Sequence, residues 1–293
     1  MGKNNNLKIA KKNKNDEFYT LMEDIEKELR FYTEYFEGKV VYCNCDDYQQ
    51  SNFYKYFYYN FHYLKLNKLI CTCFNVNDNG LYAIYDGEAE ITGKLNGDGD
   101  FRSEECIEYL KQADVVVTNP PFSLFRQYVK QLMDYNKKFI IIGNQNAITY
   151  KEIFPYIKNN QLWLGMNFVK SFEKPNGDIQ KFGNISWFTN IENKRRNEKL
   201  DLYKKYSFED YPKYDNYDAI EVSRVDEIPM DYDGVMGVPI TFLFKYNPTQ
   251  FEIIGLMSGA KDSSLINGND GRAKFYINGK GVYARILIRK IRK

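Results

Sequence analysis

Apolar residues recur every three to four positions from Asp16 to Phe36, at Phe18, Leu21, Ile25, Leu29 and Tyr32, a spacing that predicts a helix stopped by Gly38. Lys39 to Asn44 then reads as a strand. Ser51 to Leu64 reads as an aromatic-rich helix with Ser51 at its cap, and Leu69 to Phe74 as a second strand. Leu81 to Ile91 alternates like a hairpin, Gly97-Asp98-Gly99-Asp100 has loop composition, and Ser103 to Lys111 predicts another helix. Val115 to Thr118 and Phe139 to Gly143 are unbroken apolar runs, as in strands covered on both faces, with a helix predicted over Ser123 to Tyr135 between them. This alternation predicts an α/β fold wound around a parallel sheet. In such sheets ligands gather beyond the carboxyl ends of the strands. Asn44, Asp46, Asp47, Asn75, Asp100 and Asn119 all fall just past predicted strand ends or in the adjoining loops.

A chain of 293 residues suits one large α/β domain with an appendage, or two domains. Its 26 tyrosines and 21 phenylalanines fit base stacking, and fit ordinary core packing at least as well. Net charge is only +2, yet residues 271–293 hold Arg272, Lys274, Lys280, Arg285, Arg289, Lys290, Arg292 and Lys293 without an acid. That stretch reads either as a phosphate contact or as a solvated last strand. Residues 1–15, with Lys3, Lys8, Lys11, Lys12 and Lys14, read as a mobile basic arm. No apolar run reaches membrane-spanning length and the start lacks a signal-peptide core, which predicts a cytoplasmic protein with no membrane partner.

Cys43-Asn44-Cys45 and Cys71-Thr72-Cys73 each set two thiols on one face of a predicted strand. Structural zinc favours Cys-x-x-Cys knuckles, so small apolar packing is the expected use and no metal is expected. The single histidine, His62, lies inside the aromatic run Phe61-His62-Tyr63, which argues against serine-type triads and multi-histidine metal centres.

The distinctive chemistry lies in Asn119-Pro120-Pro121-Phe122, directly after the Val115 to Thr118 run. An amino nitrogen conjugated to a base ring is a poor nucleophile, and acceptors on its hydrogens draw out its lone pair. The Asn119 side-chain oxygen and the Pro120 carbonyl supply two such acceptors. Pro121 biases Pro120 away from helix and stiffens the turn, while Phe122 offers a flat face to a base. The competing reading is a rigid turn that merely ends a strand.

Together with that tetrapeptide, Asp16-Glu17-Phe18-Tyr19-Thr20, Cys43-Asn44-Cys45-Asp46-Asp47, Gly99-Asp100-Phe101-Arg102, Gly143-Asn144-Gln145-Asn146-Ala147 and Trp187-Phe188-Thr189-Asn190 resemble the EcoRI-type adenine-specific DNA methyltransferases. Gly234-Val235-Met236-Gly237-Val238-Pro239-Ile240-Thr241 and Val282-Tyr283-Ala284-Arg285 are similar too, so the resemblance covers nearly the whole chain. It implies a Rossmann-like sheet using S-adenosylmethionine, with a C-terminal target-recognition region. On that resemblance Tyr19 and Thr20 cover the methionine end of the donor. Asp46 or Asp47 takes its amino group and Asn44 its carboxylate, although the glycine-rich loop usual at this point is missing. Phe74 and Asn75 stand where an acid commonly holds the ribose, and Asp100 and Phe101 grip the adenine. Phe122 and Trp187 face the target base.

The implied organisation is the arm at 1–15, a catalytic domain over 16–190 and a recognition region over 191–293. The catalytic sheet spans 39–165, with a return strand near Ile185 to Thr189. The implied substrate is an adenine extruded from double-stranded DNA, methylated at N6 by a monomer, with a cognate restriction endonuclease as a genetic partner. Two other readings stay open: an amino-group methyltransferase acting on RNA or a protein glutamine, and a DNA-binding relative without turnover.

Overall fold

The computed structural model describes residues 19–174, 177–257 and 275–291; the expected basic arm and Phe18 lie outside them. Strand β1 is Tyr19–Thr20, followed by helix α1 at Met22–Leu29 and a 3-10 turn at Thr33–Phe36. Of the predicted stripe Ile25, Leu29 and Tyr32 are buried and Leu21 is half-buried. Among the described residues the helix expected over Asp16 to Phe36 is present only at Met22–Leu29. Tyr19 and Thr20 instead pair antiparallel with Glu173 and Phe172, so a distant strand edge outcompetes local periodicity.

Next come β2 at Val40–Asn44, α2 at Asn52–Tyr59 and β3 at Lys68–Cys73. The Ser51 hydroxyl accepts the Phe53 N–H at 3.1 Å, the cap its position predicts, although the helix closes well before Leu64. The expected hairpin is β4 at Leu81–Tyr85 and β5 at Glu90–Lys94. Helix α3 spans Glu104–Gln112, with acids in its first turn, Lys111 in its last and Ser103 as cap, which suits the helix dipole.

Strand β6 is Val115–Thr118, α4 is Phe125–Asp134 and β7 is Lys138–Asn144. Ser123 does not open α4; it sits inside a 3-10 turn, Phe122–Leu124. The two prolines hold the preceding backbone extended, with Pro121 at φ −62° and ψ 119°, and delay the helix until Phe125. After a short α5 at Phe154–Lys158 come two eleven-residue strands, β8 at Trp163–Glu173 and β9 at Ile179–Thr189.

These strands form one nine-stranded sheet in the order β1-β8-β9-β7-β6-β2-β3-β4-β5. β2, β3, β6 and β7 pair in parallel, with Cys43 opposite Cys71 and Val41 opposite Val115. The chain leaves β2 toward β3 on one side and returns to β6 on the other. The order therefore reverses between β2 and β6, the position at which wound sheets commonly bind their ligands. Glu28, wholly buried on α1, accepts from the backbone N–H and side-chain amide of Asn167 on β8 at 2.8 and 3.0 Å, which anchors the helix to the sheet.

Among the described residues the chain divides into two compact units. One takes in residues up to Asn144 with Asn167–Phe188, the other Gln145–Met166 and residues from Thr189 onward. The second unit contains β10 at Lys213–Tyr214, β11 at Tyr217–Glu221, β12 at Met236–Pro239, β13 at Phe251–Met257, a small hairpin of β14 at Tyr276–Ile277 and β15 at Lys280–Gly281, and β16 at Arg285–Lys290. Its sheet order is β10-β11-β12-β16-β13. The basic last strand is thus central, with Ile286, Leu287 and Ile288 buried. Arg285 pairs with buried Glu221 at 2.6 Å, and Tyr214 donates to the same carboxylate. Lys290 Nζ donates to the Met230 carbonyl at 2.5 Å. These two cations of the basic stretch serve the fold.

Candidate active site

The carboxyl ends of β2 and β6 lie side by side, and the residues leaving them form the candidate site. From β2 the chain passes Asn44 and Cys45, the latter left-handed at φ 72°, and this twist turns the Asp46 side chain inward. Asp46 is only 7% exposed: its Oδ1 accepts from Ser51 Oγ at 2.6 Å, and its Oδ2 contacts Thr118 Oγ1 on β6. Thr118 Oγ1 also meets the Asn44 carbonyl. Burial pushes the Asp46 carboxyl up to about 7, opposed by the Ser51 and Thr118 hydrogen bonds and reinforced by the like charge of Asp47. Asp47 faces the turn instead, its Oδ1 accepting the Gln49 N–H at 2.9 Å.

Asn119 follows Thr118 directly and is half-buried, Pro120 is buried, and Pro121 and Phe122 are exposed. This gradient puts the stiff part of the turn against the fold and an aromatic ring, 37% exposed, at its rim. Asn44 is fixed from α4, whose Tyr128 hydroxyl donates to Asn44 Oδ1.

The other predicted residues join this centre through short chains of contacts. The Thr20 carbonyl accepts from Asn52 Nδ2 at 2.8 Å, which sets β1 beside the start of α2 and one residue from Ser51. The Thr20 hydroxyl is buried without a hydrogen-bond partner, and Tyr19 is half-buried. Phe101, 4% exposed, meets the Tyr128 ring edge-on at 5.0 Å between centroids. Asp100 accepts from the Arg102 backbone N–H, Nε and Nη2 at 2.9, 2.8 and 2.5 Å, and this guanidinium holds its carboxyl below the usual range. The Asn75 N–H donates to the Asp98 carbonyl at 2.8 Å, tying the end of β3 to the Asp100 loop, while Phe74 is 51% exposed beside it. Trp187 is fully enclosed, its ring meeting Phe53 of α2 edge-on at 5.8 Å.

Sequence reasoning overlooked Ser51, Thr118 and Tyr128 as parts of the site. Ser51 was legible only as a cap and Thr118 only as the end of an apolar run. Nothing local marks Tyr128 beyond its place on the buried face of α4.

Cys43 and Cys71 are buried neighbours across β2 and β3, and Cys71 Sγ donates to the Asp46 carbonyl at 3.0 Å. Burial pushes the thiols of Cys43, Cys45 and Cys71 well above the ordinary range, so they remain neutral. Among the described residues no three His, Cys, Asp or Glu side chains stand where they could hold a metal ion.

A wound sheet with a buried acid after its first parallel strand, and an Asn-Pro-Pro-Phe turn after the strand beside it, defines the amino-methyltransferase class. The family described as adenine-specific methyltransferase EcoRI matches residues 6–291, and the chain belongs to that family. It is similar to the Type II methyltransferase M.EcoRI of Escherichia coli, with 47% identity over 324 residues covering 98% of this chain and 96% of that protein. It is also similar to M.MgeORF184P of Mycoplasma genitalium and M.MpnI of Mycoplasma pneumoniae, each 40% identical over 309 residues and covering 96% of this chain and 97% of the relative. No solved structure matches. No helix among the described residues is long and apolar enough to cross a membrane.

Proposed function

We propose that this adenine-specific methyltransferase transfers the methyl group of S-adenosylmethionine to N6 of an adenine swung out of duplex DNA at a specific sequence. The observation that carries this reading is the position of Asn119-Pro120-Pro121-Phe122. The turn leaves β6 where the sheet order reverses, one residue after a hydroxyl bonded to the acid of the β2 loop.

The residues present fit the donor. A buried acid whose charged neighbour is another acid, and a buried Thr20 hydroxyl without a partner, suit the ammonium and carboxylate of a methionine moiety. Tyr19 and Thr20 cover that end, Asp46 or Asp47 takes the ammonium, and the Asn44 amide takes the carboxylate. Phe74 and Asn75 border the ribose. Asp100 has up to about four lone-pair positions and Arg102 occupies three, which leaves one for the exocyclic amine of the donor's adenine beside Phe101. When bound, the sulfonium supplies an electrophilic methyl group.

The protein's own contribution is orientation and charge. The Asn119 side-chain oxygen and the Pro120 carbonyl accept the two N–H bonds of the target amine, turn its lone pair toward the donor, and stabilise the positive charge that builds on nitrogen. Pro120 and Pro121 hold these acceptors without offering a competing N–H. Phe122 stacks the extruded base, and Trp187 backs the pocket as a packed wall. The second unit and its basic residues supply target recognition. The protein acts as a cytoplasmic monomer, with a restriction endonuclease of the same specificity as its genetic partner.

The test is transfer of labelled methyl from S-adenosylmethionine to duplex DNA, single-stranded DNA, RNA and protein extract, followed by nucleoside mass spectrometry. N6-methyladenine in duplex DNA is the expected product. Label confined to RNA or protein overturns the DNA assignment.

A further inference from the structure

Three oxygens meet where β2 and β6 end. Thr118 Oγ1 contacts both the Asn44 carbonyl and Asp46 Oδ2, and Asn44, Asp46 and Thr118 are 1%, 7% and 0% exposed. The two contacts are met either by one hydroxyl proton shared between two acceptors or by a second proton on Asp46. A carbonyl carries none. The second arrangement makes Asp46 the neutral acid: Asp46 would donate from Oδ2 to Thr118, and Thr118 to the Asn44 carbonyl, and the enclosure of the acid favours it. Its Oδ1 accepts from Ser51, as the carbonyl oxygen of an un-ionised acid does.

The surroundings agree with this proton count. Cys43 and Cys45 from the β2 segment, Cys71 from β3 and Tyr128 from α4 all feel the Asp46 charge, and burial raises every one of them well above its ordinary value. They stay neutral through the physiological range, and the nearby charge, Asp47, has the same sign as ionised Asp46. Ionising Asp46 in this enclosure is costly unless a cation comes with the change.

We infer that Thr118 is a positioning residue for methyl transfer, whose hydroxyl reports donor occupancy to the Asn119 turn through the protonation state of Asp46. This rests on the donor reading above. Arrival of the donor's cationic methionine end stabilises the Asp46 carboxylate, and the Asp46 O–H proton leaves to solvent. A carboxylate only accepts, so the Thr118 O–H turns from the Asn44 carbonyl to Asp46 Oδ2. The peptide between Thr118 and Asn119 is then anchored to a charged acceptor, and charge-assisted hydrogen bonds are roughly twice as strong as neutral ones. Donor binding thus locks the turn that holds the target amine. Below the Asp46 titration range, near pH 7, donor affinity rises up to about tenfold per pH unit because each binding event expels a proton.

Calorimetry of S-adenosylmethionine binding in buffers of different ionisation enthalpy tests the proton step. About one proton is released per donor at pH 6; at pH 8.5, where Asp46 is already ionised, that release is gone and proton uptake appears instead, because the donor's own α-amino group is mostly neutral before it binds as the ammonium. Thr118→Val and Thr118→Ser test the positioning step. Thr118→Val binds donor within about threefold of the parent but loses about tenfold or more in kcat, and Thr118→Ser, which keeps the hydroxyl, restores kcat to within about threefold. Donor binding at pH 6 without proton release overturns the proposal, as does parental kcat in Thr118→Val. Absence of any binding heat removes the donor reading itself, and the proposal with it.

Discussion

Replacing Asp46 by asparagine should stabilise the donor-free protein at alkaline pH, although it removes an acid from the proposed active site. The acid sits near 7 in the fold against an ordinary 3.8, a rise of about three units, and each unit is worth about 1.4 kcal/mol. In the unfolded chain Asp46 ionises near pH 4; in the folded protein it keeps its proton until about pH 7. Between those values the unfolded state binds fewer protons, so stability falls as pH rises, and the loss levels off above about pH 7 at about 4 kcal/mol. Asparagine keeps the hydrogen-bond pattern of the neutral acid, with its oxygen accepting from Ser51 and its N–H donating to Thr118, and it never ionises. The variant should match the parent within about 1 kcal/mol at pH 4.5 and exceed it by up to about 4 kcal/mol at pH 8. In a chain of this size that is a melting shift of roughly 10 °C at pH 8, read by scanning calorimetry without donor. A variant destabilised equally at both pH values would show that the carboxylate is charged in the fold, and would refute the proton count.

Asn119→Ala should keep donor affinity and lower the single-turnover methylation rate by about a hundredfold or more, as loss of one preorganised polar group commonly does; an unchanged rate removes Asn119 from the chemistry. Phe122→Ala should cost about 1–3 kcal/mol of base stacking, seen as a raised KM for duplex DNA and a smaller effect when the target adenine is unpaired. Equal effects on both substrates would place Phe122 away from the extruded base. Glu221→Gln should destabilise the protein by about 3–5 kcal/mol, because it leaves the Arg285 guanidinium, 14% exposed, without its carboxylate. Urea unfolding with a change below about 1 kcal/mol would show that Arg285 finds another partner.

Local pattern determined much of this protein. The strands β2, β3, β6 and β7 are apolar on both faces, so their runs stand out without knowledge of any partner. Ser51 and Ser103 announce helix starts because capping is a contact across two or three residues. Asn119 to Phe122 carries its chemistry in its own atoms, two acceptors on a proline-stiffened turn, and needs only a strand before it to be read. Tertiary structure decided what depends on distant pairing. Tyr19 and Thr20 follow the edge of β8 rather than the helix that the apolar spacing around them predicts. Trp187 is enclosed because Phe53, far away in the chain, meets its ring. Asp46 turns inward because parallel pairing of β2 with β6 brings Thr118 beside it, a contact between residues 72 apart. The acid's environment, and hence its proton, is a property of that register. A residue's type tells which protons it can hold, but only the burial and partners supplied by the fold tell which it does hold.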